Sequence, residues 1–213
     1  MTAAIPPDAV LLRDGLAPRG TGRVLILACG ALAHEILAIK AASHLDHIDL
    51  HCLPAILHNH PERIPAAVEA AVAAHSDAYA RIFVAYADCG TGGLLPATCT
   101  RLGVEMIEGP HCYAFFEGVE RFIARDEIDA FYLTDFLARQ FDAFVTKPLG
   151  LDRHPELRDM YFAHYTKVVY LAQTDDPDLT ARARAGADAL GLAFERRFTG
   201  LSPFATAMAG GLA

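Results

Sequence analysis

The segment Arg23 to Gly30 reads RVLILACG, a continuous apolar run that stops at a glycine. A strand buried on both faces of a parallel sheet has this pattern. The next stretch, Ala31 to Ser43, changes period. Leu32, Ile36 and Ile39 recur at helical spacing, with His34, Glu35 and Lys40 between them, so strand, tight turn and helix follow in order. The unit then repeats. Ile48 to Ala55 reads as a second strand, and the loop LHNHPER leads into an alanine-rich helix over Ile64 to His75. Arg81 to Ala87 is a third strand, followed by Asp88, Cys89 and Gly90 and by a helix over Leu94 to Leu102 that Gly103 closes. Val104 to Glu108 is a fourth strand ending in Gly109, Pro110, His111 and Cys112. Tyr113 to Arg125 is predicted helical, and Ala130 to Leu133 is a fifth strand leading to Thr134 and Asp135. The pattern lapses through Phe136 to Tyr165, a helical stretch with a Pro/Gly-broken middle that could build a lid. It resumes with strands Lys167 to Ala172 and Leu192 to Phe198 around the helix Asp178 to Leu190.

Parallel neighbours need a crossover, and right-handed crossovers place helices on both faces. The alternation therefore predicts an α/β fold, a doubly wound and mostly parallel sheet of Rossmann-like or flavodoxin-like type. The expected organisation is one domain over residues 21–200, with tails at 1–20 and 201–213.

Composition narrows the classes. The chain has 213 residues, 53% of them hydrophobic, enough for a sizeable core. A net charge of -8 and no clustered Lys/Arg run leave no electrostatic footprint for nucleic acid. No apolar run approaches the roughly 18 residues of a membrane span, so no membrane partner is expected. Pro6, Pro7 and Asp8 stand where a signal peptide would carry basic and then apolar residues. Five cysteines, none in C-x-x-C spacing, do not form the framework of a secreted disulfide module, and a reducing cytoplasm is the expected setting.

In an open parallel sheet the ligand site lies beyond the carboxyl ends of the strands, near the switch in strand order. Strand one delivers Cys29, strand two leads to His58, strand three delivers Asp88 and Cys89, strand four His111 and Cys112, strand five Thr134 and Asp135. In the order 2-1-3-4-5 the cysteines of strands one, three and four converge. Thiolates with a neutral imidazole suit zinc or another transition metal, so Cys29, His58, Cys89 and Cys112 are the expected ligands, His58 being preferred to His111 on strand alternation alone. Cysteine at a buried strand end is also an ordinary small hydrophobe; Cys52 and Cys99 are read that way.

Gly90, Thr91, Gly92 and Gly93 precede a helix and could offer backbone N–H groups to an anionic cofactor, or be only a flexible turn, since neither a Walker nor a dinucleotide motif is present. Glu35 could orient a ligand or act as a general base, or be a solvated helix residue. Asp88 and Asp135 could be catalytic, or cap helices. Tyr113, Phe115, Phe116 and Phe122 read as core, and His34, His44, His47, His51 and His75 as surface.

The blocks ACGALAHE, LPAILHNHPERI, VAYADCGTGG, GPHCYAFFEG and FYLTDFL together resemble the uncharacterised prokaryotic domain-of-unknown-function family sixteen-thirty-eight, over Arg23 to about Phe198. The resemblance implies Cys29, His58, Cys89 and Cys112 as positions of interest. It carries no established reaction. Members are often encoded near corrinoid proteins and methyltransferases of methylamine and betaine metabolism, which implies, by association, a place in one-carbon transfer. The leading expectation is thus a zinc or other metal protein acting in or beside corrinoid-dependent methyl transfer. The alternatives are a metal-free thiol enzyme using Cys89 at its glycine-rich loop, or a non-catalytic partner of corrinoid or methyltransferase proteins. Whether the chain is an enzyme, and its oligomeric state, stay open at this level.

Overall fold

A computed structural model describes residues 6–209. The pattern alone suggested one domain, whereas the chain's contacts gather into two compact units, one running to Phe115 and resuming at Phe204, the other Phe116–Pro203. Each is α/β with a parallel sheet of its own.

In the first unit, α1 (Asp8–Arg13) precedes β1 (Val24–Cys29), α2 (Ala33–Ala42), β2 (Ile48–Leu53), α3 (Ile64–His75), β3 (Arg81–Ala85), α4 (Leu94–Leu102) and β4 (Glu105–Met106). The sheet order is β2-β1-β3-β4, all parallel. All six residues of the central β1 are buried, which explains the absence of any polar alternation in it. Register pairs Ala28 with Cys52 on one side and with Ala85 on the other. Strands one to four therefore keep the expected order, though β4 is only two residues long.

Both tails differ from expectation within the described residues. Leu11 on α1 is fully buried, and Leu16 forms an antiparallel bridge with Cys52 through two 2.8 Å backbone hydrogen bonds. At the other end Phe204 is fully buried and stacks on Phe115 at 5.7 Å. Residues 1–5 and 210–213 of the expected tails lie outside the described residues.

The second unit holds α5 (Val119–Arg125), β5 (Ala130–Thr134), α6 (Asp135–Arg139), β6 (Lys167–Ala172), α7 (Pro177–Leu190) and β7 (Ala193–Phe198). The fifth strand is thus not the next member of the first sheet. It pairs with β6, and β6 with β7, in a separate parallel sheet. Nothing in an apolar run of five residues specifies which sheet it joins. The helix expected over Tyr113 to Arg125 is broken at Gly118, whose φ of +87° no regular helix accepts. The irregular stretch after α6 contributes Phe144 to the unit's interior, 5.8 Å from Phe136. α7 is capped as its sequence requires: Asp176 accepts from the amides of Asp178 and Leu179, Pro177 follows it, and Gly191 closes the helix in the left-handed region. Among the described residues no helix is long and apolar enough to cross a membrane.

One ion cluster in this unit yields a test. Arg197 grips Glu127 with two 2.7 Å contacts, while Lys167 at 2.7 Å and Tyr132 at 3.0 Å add to the grip. Arg197 first, then Lys167 and Tyr132, hold the Glu127 carboxyl at about 2 against the burial that raises it. A folded-state pKa below the unfolded one gives stability that is present above the unfolded value and is lost as pH falls through the folded one. Denaturant midpoints should therefore drop between the ordinary glutamate range and about pH 2, and Glu127→Gln should start lower at neutral pH and lose less in that window. Parallel losses in both proteins would show that Glu127 does not carry the dependence.

Candidate functional site

All the chemistry-bearing strand ends of the first sheet lie in the first unit. β1 stops at Cys29, one step beyond the level of Ala85, where β3 runs on as Tyr86, Ala87, Asp88 and Cys89. Pairing persists past the short β4: the Asp88 amide donates to the Gly109 carbonyl and the Cys89 amide to that of Pro110, both at 3.0 Å. The segment ending in Cys112 is thereby laid along the end of β3, and the Ala87 amide points to the Cys112 sulfur at 3.4 Å. The result is a 2.9 Å contact between Cys89 Sγ and Cys112 Sγ. That exceeds the roughly 2.05 Å of a covalent disulfide. It is shorter than the about 3.8 Å that two sulfurs take on one tetrahedral metal with legs of about 2.3 Å. It is a close non-covalent approach of two sulfurs, either of which could be the donor, and all five cysteines are free.

The contact makes the two sulfurs unequal. The hydrogen bond from Cys112 lowers the Cys89 pKa, helped by the amides of Cys112 and Ala87, against burial and the charge of Asp88. Cys112 is correspondingly pushed well up, by Cys89 first and then by burial. Of the two, Cys89 is the sulfur that gives up its proton more readily and Cys112 the one that holds it. Cys89 also has φ +50°, in the left-handed region that few side chains accept, with Gly90 next at +81°. It stands on a sharp turn between β3 and α4. Backbone strain of this kind gathers at functional sites.

Behind the pair lies a third thiol. Burial pushes Cys29 up to about 12, partly offset by the Ala31 amide and by the Tyr86 hydroxyl, while the charge of Cys89 adds to the rise. Tyr86 is fully buried, and beyond its effect on the Cys29 sulfur no partner meets its hydroxyl. It leans on the Cys29 sulfur and is held well above the phenol range by burial, then by Cys29, Cys112, Cys89 and Cys52. Nothing in the sequence distinguishes Tyr86 from the rest of its strand. Cys52, expected as plain core, is buried but also feels Cys29 and Glu35. Cys99 stays apart on α4, raised to about 11 by burial alone.

The imidazoles sit close by. Burial lowers His58, and the neighbouring His111 lowers it further; His111 is lowered by burial and supported by Asp88. His111 also stacks flat on Tyr113 at 4.9 Å. His51 and His75, expected as surface residues, share a 3.0 Å hydrogen bond.

The glycine-rich loop has an occupant. The Asp88 carboxylate accepts from the Gly92 amide at 3.1 Å, the Gly93 amide at 2.8 Å and the Thr91 hydroxyl at 2.5 Å. Burial opposes its charge, but these bonds hold Asp88 below its ordinary value. Thr91 in turn accepts from the Leu95 amide at 3.1 Å. The protein's own carboxylate takes the seat that an anionic cofactor would use, so Asp88 caps this turn, while Gly90, the left-handed residue after Cys89, shapes the elbow. Glu35 is buried on the first turn of α2, not solvated. Asp135 belongs to the second unit, where four donors surround its carboxylate. Among the described residues no three His, Cys, Asp or Glu side chains form a group that could hold a metal ion as they stand, so the expected quartet of Cys29, His58, Cys89 and Cys112 is not assembled as a coordination sphere.

Among known proteins, the chain matches the family model described as a protein of unknown function (DUF1638) over residues 52–208, more than half its length. No curated protein and no solved structure matches it.

Proposed function

The chain belongs to the DUF1638 family of proteins of unknown function, and we propose that it works through a reactive dithiol, Cys89 attacking and Cys112 resolving. The observation that carries this reading is the 2.9 Å contact between two free sulfurs, either of which can donate to the other. The reaction class is thiol–disulfide exchange. The Cys89 thiolate attacks one sulfur of a substrate disulfide and expels the other half as a thiolate. Cys112, giving up its proton to that thiolate, then attacks Cys89 in the mixed disulfide and releases the second half. The substrate takes up two electrons and, from Cys112, one proton; the second half leaves as a thiolate that solvent protonates, and a Cys89–Cys112 disulfide remains. With only 8% of Cys89 exposed, a low-molecular-weight disulfide fits better than a protein one.

The test is equilibration with graded ratios of reduced and oxidised dithiothreitol, followed by trapping and mapping of the thiols. A Cys99→Ala background is needed, because tryptic cleavage after Arg81 and Arg101 leaves Cys89 and Cys99 in one peptide. One two-electron transition linking Cys89 to Cys112 is expected. In Cys112→Ala, alkylation of Cys89 at neutral pH should slow about tenfold, because the thiolate loses its hydrogen-bond donor. Persistence of both free thiols under fully oxidising ratios would end this reading.

A further inference from the structure

The second sheet ends in β7, which bonds on one side only, to β6. The Ala193 amide donates to the Thr166 carbonyl and the Thr199 amide to that of Ala172, so residues 193, 195, 197 and 199 turn their backbone groups inward. In a parallel ladder the residues between them turn theirs the other way. Phe194, Arg196 and Phe198 therefore hold N–H and C=O groups toward the open side, and among the described residues no backbone group meets them there. An open edge of this kind is a template for a further strand. Phe198 adds an exposed ring at its end, 60% accessible, with the Arg196 guanidinium 5.8 Å from the ring centre.

We propose that this edge pairs with the same edge of a second copy of the chain, antiparallel about a two-fold axis at Arg196. The strand's own sequence sets that register. A two-fold axis perpendicular to a sheet pairs residues that share a face, so it passes through a residue and not between two. Only the axis at Arg196 uses all three outward residues: Arg196 meets its own copy, and Phe194 of each chain meets Phe198 of the other, through about six backbone hydrogen bonds. The same register sets Glu195 of each copy opposite Arg197 of the other, about 5 Å apart at Cβ. Within one copy Glu195 and Arg197 already pair at 2.7 Å, so four charges alternate in sign around the axis. Shifted to Glu195 or Arg197, the axis would face that residue with its own like charge and leave one phenylalanine outside the ladder. The meeting of two Arg196 residues is eased because each guanidinium holds Asp175 at 2.6 Å and Thr180 Oγ1 at 3.2 Å. The exposed Phe198 ring gains as its neighbour the other copy's Phe194, a ring that stacks on Tyr170 and lies under Arg184. Charges on an edge turn away an arbitrary apolar strand; a second copy is the strand whose charges match these.

The experiment is sedimentation velocity of the full-length, reduced protein from about 1 to 300 µM, the range in which an interface at the small end of the size classes associates. A reversible monomer–dimer equilibrium is expected. The proline of Arg196→Pro lacks the outward N–H and spares the bonds to β6, so dimerisation should weaken at least about tenfold. Phe198→Ala, which trims an exposed ring, should weaken it in the same direction. The register has its own readout. Arg196→Cys sets a new thiol against its own copy with Cα atoms about 5.5 Å apart, within reach of a disulfide. Mild oxidation should link that variant into a covalent dimer and should not link wild type or Ala193→Cys. Should the proline variant fail to fold, Phe198→Ala and the cross-link still decide. A monomer throughout the range overturns the proposal, as does a dimer equally strong in both weakened variants or a covalent dimer formed equally from Ala193→Cys.

Discussion

Replacing Asp135 by alanine is expected to cost about 3–5 kcal/mol of stability, the range for removing one side of a buried, charged hydrogen-bond set. The Asp135 carboxylate, with the residue 1% exposed, accepts from the Tyr170 hydroxyl at 2.7 Å, the Gln173 amide at 3.1 Å, and the amide and hydroxyl of Thr174 at 3.0 and 2.6 Å. Its own amide donates to Gln173 Oε1 at 2.8 Å. These bonds tie the start of α6 to the chain leaving β6. Alanine would leave four donors without their acceptor in the interior. Urea denaturation reads the cost, and Asp135→Asn, which keeps one acceptor oxygen, should fall between alanine and wild type. Should alanine prevent folding altogether, the asparagine variant and Thr174→Val remain measurable. An alanine variant within about 1 kcal/mol of wild type, the ordinary range for a surface change, would refute a structural role for this carboxylate.

A loss of about 3 kcal/mol or more is likewise expected from Gly15→Ala. Gly15 has φ +75°, and a Cβ built on it would lie 2.0 Å from the Cys52 carbonyl oxygen, where backbone has no room to yield. The clash falls on the bridge that fastens Leu16 to Cys52. Its rupture would release the segment that buries Leu11. Hydrogen exchange at the amides of Leu16 and Cys52, together with the thermal midpoint, reads the outcome. Continued protection at both amides with an unchanged midpoint would mean that this segment contributes nothing to the unit.

These two residues also mark where the sequence was hard to read. Asp135 was visible as a strand-end aspartate and hence as a candidate for catalysis, but its donors come from residues 170–174 on another strand. Gly15 stood in a proline-bearing stretch with no helical period, which resembles a tail. The six-residue α1 is too short for its periodicity to register, and the bridge to β2 is a contact between segments far apart in the chain. Asp88 shows the opposite case. Its position before Thr91, Gly92 and Gly93 was legible, and so was the chance that it merely caps the helix, because every partner lies within five residues.

By itself the sequence determined the parallel α/β class, the order of the first four strands and the candidacy of Cys29, Cys89 and Cys112, because apolar period, glycine punctuation and the rule of strand ends all act locally or through chirality. Tertiary structure alone decided that β5 leaves the first sheet for a second, since its five apolar residues suit either one equally. It alone decided that Cys89 and Cys112 touch, through the pairing of residues 88 and 89 with 109 and 110 beyond the end of β4. The placing of the buried Tyr86 hydroxyl beside the Cys29 sulfur likewise needed the fold. A buried strand selects for apolar bulk whichever sheet or neighbour it meets, so its residues record that they are buried and not against what.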